Sequence, residues 1–167
     1  MTLSVSYASG SSDKPLLGST IGKFFDYAAG RYAEREAVVS IHQQVRFTYS
    51  QLAERVNKLA KAFISAGFQK EDRLGIWSPN NVQWLITQYA TAKARLILVT
   101  INPAYRTHEL AYVLRQSGCK GLVLQNKFRS SNYEQMLCEL CPELPNVSTG
   151  KLLSCLLYTS DAADEED

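Results

Sequence analysis

Four cysteines and two histidines are the side chains of this sequence best suited to hold a metal or to exchange electrons. Cys138 and Cys141 form a C-x-x-C pair, but a structural zinc site needs four ligands, usually from two such clusters. No second pair accompanies them, and His42 and His108 lie far upstream. A thioredoxin-type pair would begin a helix, whereas this pair comes late in a helical pattern. We therefore predict ordinary reduced thiols, as is typical of an intracellular protein.

A glycine loop that ends in lysine can bind phosphate, and the segment from Gly18 to Lys23 has that composition. A phosphate loop has four residues between its glycines, Ser or Thr after its lysine, and a strand before it. Here three residues separate Gly18 from Gly22, phenylalanine follows the lysine, and no strand is predicted upstream. The segment instead predicts a helix start, with Ser19 or Thr20 as N-cap. The predicted buried face consists of Ile21, Phe24, Phe25 and Ala28.

The composition, 46% apolar and 20% charged, is typical of a globular protein. No apolar run approaches the roughly 20 residues that span a bilayer, so no transmembrane segment is predicted. All 18 Lys and Arg residues lie at or before Lys151, which leaves the first 160 residues with seven surplus positive charges. Such a surplus favours polyanionic ligands. The basic residues are scattered, however, and no groove-reading helix accompanies them, so we predict no nucleic-acid partner.

Residues 73–103 are the segment around which the other predicted elements are arranged. Residues 73–78 predict a strand, which Pro79-Asn80-Asn81 ends. Residues 96–101 are almost all apolar and β-branched, which predicts a parallel strand that is buried on both faces. Between them, apolar residues recur at helical spacing at Val82, Leu85, Ile86, Tyr89 and Ala90. The whole segment therefore predicts a βαβ unit.

The elements upstream of this unit are a hairpin and a helix. Residues 37–41 and 45–49 are β-prone, and the three polar residues between them predict a hairpin turn. Ser50 is predicted to cap the helix that follows, and Gly67 to end it in the left-handed conformation. The predicted inward side of that helix consists of Leu52, Val56, Leu59, Ala60 and Phe63.

Downstream, the pattern predicts a helix, a third parallel strand and a weaker helix. Thr107 is the predicted cap of the first helix and Gly118 its end. Residues 119–124 are the strand, and residues 127–141 the weaker helix. The predicted inward residues of the first helix are Leu110, Val113 and Leu114.

This order of elements predicts an α/β fold: a partial parallel sheet flanked by helices, with a preceding β-hairpin. Three parallel strands without a closing element suggest an unfinished domain, because the sheet edges would expose unpaired backbone. We place a flexible lead-in at residues 1–18, the domain at residues 19–150, and a divergent, disordered or artefactual tail at residues 151–167.

Three segments together resemble the adenylate-forming acyl-CoA synthetases. Residues 47–52 (FTYSQL) match the T-Y-x-E-L pattern of that family, with Gln51 where Glu is usual. Residues 72–84 match its D-R-V-x-I pattern with the following Asn and Trp; Glu71 replaces Gly and Gln83 replaces Glu. Residues 92–103 match a further core motif that usually has Ala-Gly where Ala94 and Arg95 stand. Loss of that glycine puts a close backbone approach in doubt.

Shorter matches place the chain near the mitochondrial medium-chain branch of that family. They are Asn102-Pro-Ala-Tyr105, Gly118-Cys-Lys120 and Cys141-Pro-Glu143. The resemblance covers residues 13–150 and implies the N-terminal subdomain of the adenylate-forming fold. It also implies a mitochondrial location for the parent protein, with the cytoplasm as the alternative.

The resemblance implies that the parent enzyme is a fatty-acid CoA ligase, for medium-chain acids in this branch. ATP would activate the carboxylate as acyl-AMP, and the CoA thiol would then displace AMP. The implied substrates and cofactors are a fatty acid, ATP, Mg²⁺ and CoA. The family's phosphate loop, adenine and ribose segments and C-terminal lysine would all lie downstream. We therefore assign no catalytic, cofactor-binding or metal residue to this chain, and expect it to bind no cofactor and to be inactive alone.

The last residues do not restore a nucleotide site. Tyr158-Thr159-Ser160 matches the first letters of the family's phosphate loop, but the acidic residues 161–167 follow and would repel phosphate. The tail is either a short alternative C-terminus or foreign sequence, and we favour the second interpretation.

Two functional readings follow, an inactive enzyme fragment and an autonomous non-catalytic α/β interaction module. As a scaffold, the fragment would use Trp77, Trp84, Tyr89 and Tyr105 for packing, while the loop at residues 102–106 could reach a ligand.

Overall fold

The computed structural model of this chain describes Gly10, Asp13 and residues 16–144. Helices cover both faces of a small parallel sheet in this part of the chain. The five helices described are α1 (Ile21–Arg31), α2 (Tyr49–Ser65), α3 (Val82–Ala94), α4 (Thr107–Ser117) and α5 (Tyr133–Leu140). The seven strands described are β1 (Glu36–Ser40), β2 (Val45–Thr48), β3 (Arg73–Trp77), β4 (Ile97–Ile101), β5 (Gly121–Leu124), β6 (Lys127–Phe128) and β7 (Ser131–Asn132). The predicted α/β class, with a hairpin before a partial parallel sheet, is confirmed. The predicted lead-in and tail lie almost wholly outside the described residues.

The sheet has the order β4-β3-β5, and all its strands are parallel. Arg73 is paired with Ile97, and Trp77 with both Ile101 and Leu124. The carboxyl ends of the three strands therefore lie side by side. β1 and β2 form the predicted antiparallel hairpin apart from this sheet.

The sheet lies between two hydrophobic cores, and successive residues of its strands face one core or the other. Leu74 points to the first core, formed with α1, α2 and α3, where Phe25 and Val56 are buried. Trp77 points to the second core, formed with α4 and α5, where Leu110 and Tyr133 are buried. Successive side chains of a strand alternate between faces, which explains this division. None of the described helices is both long and apolar enough to cross a membrane.

Two predicted helix caps were wrong by one or two residues. Thr48, rather than Ser50, caps α2: its hydroxyl accepts the Gln51 backbone N–H at 3.2 Å. The Gln51 side chain accepts the Thr48 N–H in return at 3.0 Å, which completes a capping box. This contact explains why Gln replaces Glu here, since both side chains offer the acceptor oxygen. Similarly, Thr107 lies inside α4, and Arg106 is its N-cap residue.

The buried face of α1 was also predicted incorrectly. Thr20, one of the two predicted alternatives, is the N-cap, and Phe25 is buried. Ile21 and Phe24 are 64% and 45% exposed, however. Gly22 faces the protein instead, because a Cβ at this position would meet Lys93 Cγ at 3.2 Å. Because α1 lies close to α3 at this position, the helix buries a different face from the one with the largest side chains.

The prediction that β4 is buried on both faces was wrong. β4 lies at an edge of the described sheet, and its Ile97 is 44% exposed. β3 occupies the centre, and residues 74–77 are all buried. Polar residues lie on either side of β3 in the sequence, so its burial was indicated less strongly than that of the β-branched run of β4. Chain order alone did not reveal which strand is central.

The predicted helix at residues 127–141 is shorter in the structure. Residues 127–132 form the small antiparallel β6–β7 hairpin, and α5 begins at Tyr133. Asn132 provides the reason, because its side chain accepts the Gln135 N–H at 3.0 Å and caps the helix. The hairpin turn places Arg129 at φ 52°.

The two positions where glycine is replaced relative to the family patterns both have positive φ. Glu71 has φ 72°, and Arg95, the C-cap of α3, has φ 63°. Arg95 thus ends α3 in the left-handed conformation, which glycine adopts most readily. Non-glycine residues adopt this left-handed region at a cost of about 1–2 kcal/mol.

Replacing Glu71 or Arg95 with glycine is expected to stabilise the chain by up to about 1 kcal/mol. Glycine loses more backbone entropy on folding than other residues do. This loss offsets part of the relieved backbone strain and limits the gain in stability. Urea unfolding followed by circular dichroism would measure this change. Gly30→Ala is the matched control, because it removes a glycine without positive φ. A loss of stability in both glycine variants would contradict the interpretation.

Candidate functional site

A cleft lies at the carboxyl edge of the parallel sheet, where ligands bind in open α/β sheets. Its volume is about 570 Å³. The β1–β2 turn, the start of α3 and the end of β5 enclose it. The lining residues used below are His42, Gln43, Asn81, Gln83, Trp84, Gln125 and Phe128.

Carboxamide side chains connect these three elements. The Gln43 side chain donates to Gln83 Oε1 at 2.8 Å and accepts the Val82 N–H at 2.8 Å. The Asn81 side chain donates to Gln125 Oε1 at 2.9 Å and also caps α3 by accepting the Trp84 N–H. The cleft wall is therefore held by neutral hydrogen bonds between residues about 40 positions apart. The Gln43 and Asn81 amides thus use both their oxygen and their nitrogen within the wall, and the Gln125 amide donates to the Lys127 carbonyl at 3.2 Å.

The donor set of the cleft does not fit a Mg²⁺–triphosphate. Hard cations prefer carboxylate oxygens, and phosphates need cations or free backbone N–H groups. The lining residues include neither a carboxylate nor a lysine or arginine. The described residues also contain no cluster of three or more metal-ligating side chains. This arrangement can bind a neutral, partly apolar group. His42 also lines the cleft, and its Nδ1 lies 3.3 Å from Ser40 Oγ.

The loop at residues 102–106 is fixed by two buried aromatic residues. Trp77 and Tyr133 are both 0% exposed, and their rings stack at 3.7 Å between centroids. The Trp77 indole N–H donates to the Asn102 carbonyl at 3.1 Å, and the Tyr133 hydroxyl donates to the Pro103 carbonyl. Burial raises the pKa of Tyr133, so the phenol stays protonated as a donor. We name this group the aromatic clamp.

The aromatic residues predicted as packing residues are found in different environments. Trp77 belongs to the aromatic clamp, and Tyr89 stacks on Phe25 at 4.4 Å. Tyr105 packs against the second core. Trp84 is only partly buried and lines the cleft. The sequence analysis named Trp84 only as a packing residue and did not predict its position at the candidate site.

The three described cysteines, which were predicted to be ordinary thiols, differ in their surroundings. Cys138 is partly buried in α5, and Cys141 follows the helix. Cys119 is buried beside Ser117, with 3.1 Å between Sγ and Oγ. Burial raises the pKa of the Cys119 thiol, which makes this thiol a poor nucleophile.

Comparison with known proteins agrees with this fold. Residues 25–166 match the family model described as AMP-binding enzyme. The chain is 44% identical over 150 residues to the medium-chain acyl-CoA ligase ACSF2, mitochondrial, of Mus musculus, which covers 90% of this chain and 24% of that protein. The corresponding Homo sapiens protein is 45% identical over the same shares. The chain thus spans about a quarter of the length of these relatives.

A solved structure confirms the architecture. The N-terminal domain of FACL13 from Mycobacterium tuberculosis superposes with a TM-score of 0.67 at 24% identity, over 73% of this chain and 30% of that one. The fold is therefore that of the N-terminal domains of adenylate-forming enzymes. Since the family model matches more than half of the residues, this chain belongs to the AMP-binding enzyme family.

Proposed function

We propose that this chain is the N-terminal part of a medium-chain fatty-acid CoA ligase. The observation that carries the proposal is 44% identity over 90% of the chain to a relative named as such a ligase. The whole enzyme would use ATP to convert a fatty acid to acyl-AMP, and CoA would then displace AMP to give acyl-CoA. ATP, CoA and Mg²⁺ are its proposed substrates and cofactors. A mitochondrial location is proposed from the names of the same relatives.

Within that enzyme, the chain is proposed to act as scaffold. β4 and β5 are the outer strands of the described sheet, and unpaired edges favour continuation by further strands. The cleft carries no charge suited to ATP phosphates. Catalytic groups would therefore come from sequence outside this chain, and we propose that the chain alone does not catalyse the reaction.

The 167-residue chain is expected to show no octanoate-dependent ATP–pyrophosphate exchange above a no-enzyme control. The physical reason is that cations and an ordered loop must offset the phosphate charge while the adenylyl group passes from ATP to the carboxylate and pyrophosphate leaves. The longer polypeptide that contains this sequence is expected to show exchange. Radiolabelled pyrophosphate incorporated into ATP is the readout.

Exchange by the short chain that survives repurification would contradict the scaffold proposal. Lack of exchange by the longer polypeptide, with octanoate and with other chain lengths, would contradict the ligase proposal. An antibody raised against residues 50–66, which form most of α2, would show the size of the native product. A band only near 18.7 kDa would instead favour the interaction module.

A further inference from the structure

The large apolar side chains that stay exposed in the described part of the chain are concentrated near its start. Eight of these eleven residues lie between positions 16 and 41, and the other three are Ile64, Ile97 and Tyr112. The eight are Leu16, Leu17, Ile21, Phe24, Tyr27, Tyr32, Val39 and Ile41. Single exposed apolar residues need no explanation, whereas contiguous apolar surface marks an interaction site. Incomplete burial is therefore a property of α1, the residues before it and the β1–β2 hairpin.

A groove of about 480 Å³ lies along this surface, away from the cleft at the carboxyl edge of the sheet. The lining residues used below are Leu17, Ile21, Phe24, Phe25, Leu52 and Leu85. Phe25 and Leu52 belong to the first core, so the groove opens directly onto that core. Leu85 also lines a second hollow, together with Val39 and Ile41 of the hairpin. We call the groove and this adjoining hollow the α1–β1 face.

The charges around the α1–β1 face do not favour a charged partner. Residues 16–41 contain three basic and three acidic side chains: Lys23, Arg31, Arg35, Asp26, Glu34 and Glu36. Asp26 is paired with Lys93, and Glu36 is paired with Arg46. Anionic membranes and nucleic acids attract clusters of unneutralised lysine and arginine, and this balanced set offers no such cluster. The occupant of the groove is therefore selected by its apolar side chains.

The length of the relatives indicates where such an occupant comes from. The chain spans 24% of the length of the mouse and human relatives, which leaves about three quarters of each outside the matched part. A segment on the same polypeptide needs little intrinsic affinity to cover the face, because its effective concentration is high. The β1–β2 hairpin also has only two strands, and a hairpin of that size gains stability from a further packed layer.

We propose that the α1–β1 face is the docking surface for an apolar segment of the ligase polypeptide outside this chain. Side chains of that segment fill the groove above Phe25 and Leu52 and cover Ile21 and Phe24. The proposal rests on the proposed function, because the longer polypeptide supplies the segment. It also explains why α1 has apolar residues on two sides: Gly22 and Phe25 face the rest of this chain, whereas Ile21 and Phe24 face the docked segment. A helix that is apolar on more than one side is buried on more than one side.

Cysteine labelling of Ile21→Cys and Phe24→Cys, in the 167-residue chain and in the longer polypeptide, tests this docking surface. Both side chains are exposed, so the substitutions leave the two cores intact. Modification by N-ethylmaleimide is followed by peptide mass spectrometry, which separates the introduced thiol from the native cysteines. Labelling is expected to be about tenfold slower in the longer polypeptide, which corresponds to a face that is covered for about nine-tenths of the time. Ile64→Cys on α2 is the matched control, because Ile64 is 58% exposed and Ile21 is 64% exposed; its labelling rate should be the same in both proteins.

The labelling rates need no turnover, which separates this docking surface from the ligase activity. Slower labelling at positions 21 and 24 in a longer polypeptide that shows no pyrophosphate exchange would support the docking surface and contradict the ligase proposal. Equal labelling rates in the two proteins would overturn the docking surface, and so would equal slowing of Ile64→Cys, which would indicate general occlusion. Protection of the short chain that rises with its concentration would assign the face to a second copy. Protection that appears only with phosphatidylcholine vesicles would assign it to a membrane surface, and both of these results would also overturn the proposal.

Discussion

Replacing Trp77 with alanine is expected to lower the free energy of unfolding of the chain by about 3–5 kcal/mol. Trp77 is 0% exposed and lies at the centre of the second core. Its removal leaves a cavity, ends the stacking on Tyr133, and leaves the Asn102 carbonyl without its indole donor. Urea unfolding followed by far-ultraviolet circular dichroism is the appropriate measurement, since it does not depend on tryptophan fluorescence.

Two variants show whether the clamp itself causes this loss. Trp77→Phe keeps an aromatic ring but removes the N–H donor, so its loss should be smaller. Trp84→Ala removes the other tryptophan, which is only partly buried, and should cost less than Trp77→Ala. Equal losses of unfolding free energy for Trp77→Ala and Trp84→Ala would contradict the prediction that burial at the carboxyl end of β3 makes the loss of Trp77 larger.

Local sequence signals predicted the types and order of most elements because they depend on neighbouring residues. The hairpin, the βαβ unit and the helix stop at Gly67, with φ 91°, all follow from periodicity and turn chemistry. Which face of α1 is buried, and which strand is central, depend instead on residues distant in sequence. Gly22 approaches Lys93, and β5 pairs with β3 rather than with β4. Periodicity contains no information about such pairings.

The candidate site was less predictable than the fold for the same reason. Gln43 and Gln83 are ordinary surface residue types, and only their contact across 40 positions makes them part of one wall. The basic residues were correctly noted as scattered in sequence, yet the structure joins Arg106 to the β6–β7 hairpin through Ser131. A surplus of charge in a sequence indicates a polyanionic ligand, but only the fold shows which cations share a surface.

Replacing Gly75 with valine is expected to destabilise the chain by about 1–3 kcal/mol. Gly75 is buried in the central strand, and a Cβ there would lie 2.9 Å from Leu122 Cδ1 and 3.3 Å from Ile101 Cδ1. Either side chain alone could rotate away, but the Cys119 sulfur at 3.4 Å closes the remaining side. The higher strand propensity of valine, worth up to about 1 kcal/mol, is therefore outweighed by overpacking of the second core.

Gly30→Ala gives the opposite sign and serves as the control for glycine replacement itself. A Cβ at position 30 meets nothing within 4 Å, and Gly30 lies in α1. Alanine should therefore stabilise the chain by about 0.5–1 kcal/mol by restricting the unfolded backbone. Gly75→Ala should fall between the two, since it adds one methyl group to the crowded position. A Gly75→Val variant as stable as the parent in urea unfolding would mean that Leu122 and Ile101 can repack, and that β3 does not require glycine for its contact with the second core.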